Sequence, residues 1–179
     1  MRKGLRILTI ALTLAGLSLI GYWSAPAPVA AQTGVLTGYL SDNVLLTKVK
    51  DHSTADTTDV TSDSVDMQNY TGAVFVTSYG TAGATNLCHG EMSSDDGSAD
   101  AFTDMTGTEI GVSTSDEDEW LEIARPAERY LRVVCQRGAS STLESIWAIR
   151  YGNRTLPADN TTAGTIHGEK HNAPAAGTK

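Results

Sequence analysis

The sequence predicts an all-β protein: a single β-sandwich or jelly-roll domain of about eight to ten short antiparallel strands, with an N-terminal hydrophobic leader helix and a flexible C-terminal tail. Three observations predict it. Runs rich in Val, Ile, Phe and Tyr recur through the chain, namely GAVFVTSY (72–79), RYLRVVCQR (129–137) and ESIWAIRY (144–151). Within the last two, apolar side chains alternate at a period of two, and no segment beyond the leader repeats them at helical spacing. Clusters of Gly, Ser, Asp and Asn separate the runs, as turns between strands require.

The leader comes first. Arg2, Lys3 and Arg6 form a positive start, Ile7 to Ile20 is uncharged and apolar, and Val29-Ala30-Ala31 presents small residues before Gln32. This layout is that of a secretory signal peptide cleaved between Ala31 and Gln32. The rival reading is a membrane anchor, for which the apolar core falls short of the ~20 residues a spanning helix needs. Three segments follow: 1–31 as signal or anchor, 32–152 as the sandwich domain, and 153–179 as a tail. Cleavage leaves 148 residues, enough for one domain with a real core, and moves the formal charge from −8 to −11.

In the mature chain, 35–40 and 44–50 read as short strands around a Ser41-Asp42-Asn43 turn. The polar stretch 51–66 reads as a long surface connection with one weak strand. GAVFVTSY reads as a central strand, Gly80 to Thr85 as a turn, and Asn86 to Met92 as the returning strand. Ser93 to Gly107 holds four aspartates, two glycines and Phe102, and reads as the loop of a strand–loop–strand unit. Residues 109–112 and Trp120 to Ala124 follow as strands, the latter ended by Arg125-Pro126, because Pro cannot donate to a ladder. In 129–137, Leu131, Val133 and Cys135 share one face, while Tyr130, Arg132, Val134 and Gln136 share the other. In 144–151, Ile146, Ala148 and Arg150 oppose Trp147, Ile149 and Tyr151. The segment from Gly152 is poor in large apolar residues, so by itself it cannot offset its ordering entropy.

Charge is segregated along the chain. Sixteen Asp or Glu and no Lys or Arg lie between Asp51 and Glu122, whereas six Arg and two Glu lie between Arg125 and Arg154. An acidic body argues against nucleic acid as a partner, since phosphate binding needs a positive field. The two cysteines, Cys88 and Cys135, leave two alternatives open: a disulfide in an exported protein, or a pair of buried thiols. Neither belongs to a CxxC pair. The four histidines, His52, His89, His167 and His171, carry no hydrolase, zincin or phosphate-loop motif. Asp95, Asp96 and Asp100, with Asp104 and the 116–119 acids nearby, are calcium candidates by ligand type, but their spacing fails the EF-hand pattern. A Ser93-x-Asp95-x-Gly97 turn in which Asp95 and Gly97 only shape the hairpin explains them without a metal. No cofactor motif and no catalytic set stands out.

Four stretches carry a family resemblance: DSVDMQNYTGAVFVTSYGTAGA, SSDDGSADAFTDMTGT, LEIARPAERYLRVVCQRG and IWAIRYGNR, spanning roughly 63–157. Together they resemble small structural proteins of tailed phages. The resemblance implies a β-sandwich virion component, such as a head decoration or head fibre, without enzymatic activity. Its partners would be other virion subunits or copies of itself, and its location the virion. It makes Arg129, Tyr130 and Arg132 interface candidates, with arginines available to the acidic body or to a neighbouring subunit. The leader departs from that family, whose assembly is cytoplasmic; membrane contact is expected only through it. A second reading follows from the leader and from the solvent-side aromatics Tyr130, Trp147 and Tyr151: an exported, periplasmic or extracellular β-sandwich module binding a surface carbohydrate or other ligand, with calcium assisting through Asp95, Asp96 and Asp100.

Overall fold

The structure, a computed structural model, describes residues 38–112, 114–161 and 166–171. The leader, the Ala31–Gln32 cleavage site, the first residues of the expected 35–40 strand and the last of the tail lie outside the described residues.

Among the described residues, eleven strands build two antiparallel sheets. In the first sheet, β1 (Val44–Lys50), β11 (Ser141–Tyr151), β5 (Gly72–Tyr79) and β9 (Asp118–Ala124) lie in that order, and β2 (Ser53–Asp56) shares the β1 side of the long β11. In the second, β3 (Val60–Thr61) and β4 (Val65–Asp66) pair in succession along one edge of β10 (Tyr130–Gln136). Its neighbour β6 (Asn86–Ser93) carries β7 (Thr103–Asp104) and β8 (Ile110–Val112) on its far side. Leu40, expected in a strand, instead opens a single helical turn, α1 (Leu40–Asn43). The Asn43 amide donates to the Tyr39 carbonyl and holds that turn closed.

Alternation decides what enters the core. Val49, Phe75, Tyr79, Ile123, Leu143, Ile146 and Ala148 from the first sheet meet Cys88, Leu131, Val133 and Cys135 from the second. Each large apolar side chain so buried contributes about 1.5–3 kcal/mol relative to exposure. The alternation expected in β10 and β11 holds: Leu131, Val133, Cys135, Ile146 and Ala148 are all buried. Residues 51–66, read as mostly loop, instead carry β2, β3 and β4, whose polar sequences pair along the edges of β10 and β11.

Of the two alternatives for the cysteines, the structure has the disulfide. Cys88 and Cys135 are direct partners across β6 and β10, with Cα atoms 4.0 Å apart, and the bond joins positions separated by 47 residues. At that separation the two strands are already as close as an antiparallel pair allows.

The described part of the segment after Gly152 differs from the expected mobile tail. Ala158 is buried and donates its N–H to the Asp42 carbonyl at 2.8 Å. Asn160 accepts from the Leu46 N–H at 2.6 Å and donates to the carbonyls of Ser41 and Val44 at 2.8 and 3.0 Å. A single amide side chain thus satisfies backbone groups along the outer edge of β1, which anchors a segment with little apolar surface and blunts a sheet edge.

Candidate functional site

The acidic loop after β6 is organised from within. The Ser93 hydroxyl, wholly buried, donates to the Asp100 carbonyl at 2.7 Å and accepts the N–H groups of Asp95 and Gly97 at 3.2 and 2.9 Å. Asp95 accepts N–H groups from Asp100, Ala99 and Ser98, which hold its carboxyl below the usual carboxylate range. The Asp100 carboxylate accepts from Ser94 N–H, and that of Asp96 from the Ser64 hydroxyl. Asp96 and Gly97 adopt left-handed backbone, φ 63° and 77°, where the chain reverses. The three calcium candidates therefore stand in one loop, with oxygens engaged in shaping it.

The interface candidates sit on the outer face of the second sheet. Arg129 holds Asp66 through two hydrogen bonds, 2.9 and 2.6 Å, and reaches Gln68 at 3.0 Å. The pair keeps the Asp66 carboxyl well below its ordinary range, and the guanidinium lies 5.0 Å from the Tyr130 ring centre. Arg132 donates to Glu91 at 2.5 Å and stacks on Phe102 at 4.0 Å. Both arginines thus have partners within the subunit.

The first sheet presents a different outer face, which its register defines. Lys48, Trp147, Val76 and Trp120 face one another in a row across β1, β11, β5 and β9. Leu46, Ile149, Val74 and Glu122 form the next row, and Val44, Tyr151, Gly72 and Ala124 the one after. Six neighbouring positions are therefore large and apolar on the side away from the core. Trp120 is 65% exposed, and Leu46, Val74, Val76, Trp147 and Ile149 are half-buried. The Tyr151 ring crosses Gly72 to donate its hydroxyl to Glu122 at 2.6 Å. A side chain at 72 would collide with that ring. Burial and the Glu122 carboxylate push the Tyr151 hydroxyl up to about 12. Of the aromatics read as solvent-side, Trp147 and Tyr151 belong to this surface and Tyr130 to the opposite sheet. Trp120 joins Trp147 and Tyr151: the alternation in WLEIA sets Trp120, Glu122 and Ala124 against Leu121 and Ile123, and the first set faces outward.

That alternation also turns Glu119 inward. It is 7% exposed, its carboxylate oxygens have no hydrogen-bond partner among the described residues, and one of them lies with both cysteine sulfurs in a cluster no wider than 4.8 Å. Burial pushes its carboxyl up to about 7. Nearby, the Tyr79 hydroxyl lies 3.3 Å from Cys88 Sγ, and burial followed by the Glu119 charge raises its pKa.

One end of the sandwich is basic. Arg125, Arg129 and Arg154 line a cleft of about 500 Å³ with Tyr70, Pro126 and Glu128. Arg150 lies beneath it, 4.7 Å from the Tyr70 ring centre, donating to the Asp66 carbonyl at 2.9 Å. No protein-family model matches the chain, and no curated protein sequence is similar to it.

Proposed function

We propose that the chain is a non-enzymatic structural protein of the phage virion type, an accessory β-sandwich that works by subunit association through the outer face of its first sheet. The observation that carries this reading is the contiguous apolar surface of Leu46, Val74, Val76, Trp120, Trp147 and Ile149. Four strands about 4.8 Å apart and some six residues long give a face on the order of 400 Å², within the range of the largest apolar patch on an ordinary monomer, which is often a functional one. The assignment to a virion rests on the sequence resemblance; the β-sandwich is consistent with it.

Charge at the two edges of the face favours a second copy of the chain as its occupant. Lys48 ends the row on β1, while Asp118 and Glu122 stand on β9. A two-fold axis lying between the stacked faces and parallel to the strands sets each β1 edge over the partner's β9 edge, so Lys48 meets the acids in both halves. Its exposed pairing with Asp51, 2.6 Å, costs little to exchange. A contact this small is weak pairwise and becomes effective in an array, where many copies are held at high local concentration.

Sedimentation velocity over a concentration series tests this. The wild-type weight-average mass rises with concentration, and Trp120→Ser, at a position already exposed in the monomer, returns it toward the monomer. A wild type that stays monomeric into the millimolar range overturns the reading. The carbohydrate-binding alternative has one observation in its favour: Trp120 and Trp147 flank Val76 about 10 Å apart, and aromatic side chains are groups on which sugars stack. Heat on titration with a glycan panel, lost in Trp120→Ser, would favour it.

A further inference from the structure

We propose that His89, Glu91 and Asp104 form a binding site for a borderline divalent cation of the Zn²⁺ type on the outer face of the second sheet. His89 and Glu91 are two apart on β6 and therefore project to the same side, and Asp104 on β7 is the direct cross-strand partner of Glu91. The pairing brings Asp104 against two ligands that lie thirteen and fifteen residues earlier in the chain. His89 Nε2 stands 3.2 Å from Asp104 Oδ1 and 3.9 Å from Glu91 Oε1, and the three atoms fall within 4.8 Å of one another. Metal–ligand distances near 2.1 Å place tetrahedral neighbours about 3.4 Å apart, so His89 already stands near that spacing from Asp104 and about 0.5 Å beyond it from Glu91.

The surroundings suit a cation. One imidazole nitrogen faces two carboxylates, and the ion takes the place of the proton between His89 and Asp104. Arg132 donates from Nε to the other oxygen of Glu91 at 2.5 Å and is braced on Phe102, so Glu91 is oriented with Oε1 toward His89. A hydrogen-bonded partner of this kind positions a metal-ligating carboxylate. Glu109 adds a third carboxylate to the adjoining cleft, of about 410 Å³, lined also by Thr106 and Gln136. With His89 neutral, three carboxylates and one guanidinium leave a local charge that one divalent ion cancels. The cleft gives room for the waters that complete its shell. An imidazole in the set favours Zn²⁺ over Ca²⁺ or Mg²⁺, which take oxygen ligands.

Isothermal titration of the chelator-treated, oxidised full chain with ZnCl₂ in a non-coordinating buffer tests the site. Without reductant the cysteines remain bonded and do not compete. Wild type takes up Zn²⁺, and Asp104→Asn weakens that uptake about tenfold or more, roughly 1.4 kcal/mol. Asp104 is 77% exposed, so this substitution spares the fold. His89→Gln weakens it likewise, and CaCl₂ gives no comparable heat. Equal Zn²⁺ affinity in wild type and Asp104→Asn would place the ion elsewhere, for example on His171 and Glu169 of the tail, and overturn the proposal. So would a wild type that takes up no Zn²⁺ at 1 mM total metal, roughly the 4 kcal/mol limit of weak binding.

Discussion

Glu119 makes the chain's stability depend on pH in a window where ordinary carboxylates have finished titrating. Its register is imposed by its neighbours: Leu121 and Ile123 turn toward the core, so Glu119, two and four residues earlier, turns with them. There its oxygens meet no donor among the described residues. Burial raises its carboxyl from 4.5 to about 7, so between those values the folded chain keeps a proton that the unfolded chain releases. Stability is therefore highest below pH 4.5 on this account, falls as pH rises toward 7, and levels off above it. At 1.36 kcal/mol per unit, the full loss is about 3 kcal/mol. Urea unfolding of wild type and Glu119→Gln at pH 5 and pH 8, at one ionic strength, isolates the effect, because every other titrating group is common to both proteins. The amide has no charge to lose, so the variant keeps most of the stability that wild type sheds between the two values. The same pH dependence in both proteins would refute the argument and place the carboxylate in water.

Other perturbations follow from single contacts. Replacing both Cys88 and Cys135 by Ser removes a link spanning 47 residues, which the chain-entropy estimate puts at about 4 kcal/mol, read as a lower urea midpoint. Ser93→Ala leaves two N–H groups and one carbonyl without their shared partner, costing about 1–3 kcal/mol and raising amide exchange through 95–100. Asp66→Asn loses the Arg129 pair: since that pair depresses the Asp66 carboxyl, its contribution is present above pH 3.8 and fades as pH falls through the lower folded value, so wild type and variant converge in acid. Half-exposed as the pair is, the difference at neutral pH stays within about 1 kcal/mol in thermal unfolding.

The strands with apolar alternation were legible in the sequence because a buried face imposes a period of two. β5, β10 and β11 show it plainly. β2, β3 and β4 do not, since edge strands bury one side chain or none, and runs as short as STAD or VT leave no period to read. β9 is instructive in another way: Trp120 points outward and Glu119 inward, opposite to what side-chain polarity alone suggests. The assembly of His89 with Glu91 and Asp104 depends on the β6–β7 register, which the long loop between them conceals. For the cysteines, composition left two outcomes equal, and only strand pairing distinguishes them.

The charge segregation along the chain acquires a reason once the strands are paired. An antiparallel sandwich places late strands against early ones, so a cation needed beside an early acid is supplied by a late segment. Arg129 meets Asp66, Arg132 meets Glu91, and Arg137, nearly buried, lies 3.9 Å from Asp56 while donating to the carbonyls of Thr54, Thr58 and Ser141. The acidic first half and the arginine-rich end of the chain are thus one electrostatic unit folded over the core. The pairing is uneven, however: it is concentrated on the second sheet and its margin with β2, while Asp118 and Glu122 on β9 meet no arginine among the described residues. Acids left beside Trp120 keep a lone apolar face hydrated, and in the proposed stacked pair they would face Lys48. Under that arrangement added salt should weaken the edge contacts and leave the apolar contact intact. Self-association then declines only modestly between 50 mM and 500 mM NaCl, whereas Glu122→Lys, which sets like charges over one another, abolishes it at low salt and recovers part of it at high salt. Sedimentation of that variant at both salt concentrations checks the orientation; association unchanged by the reversal would refute the parallel two-fold axis.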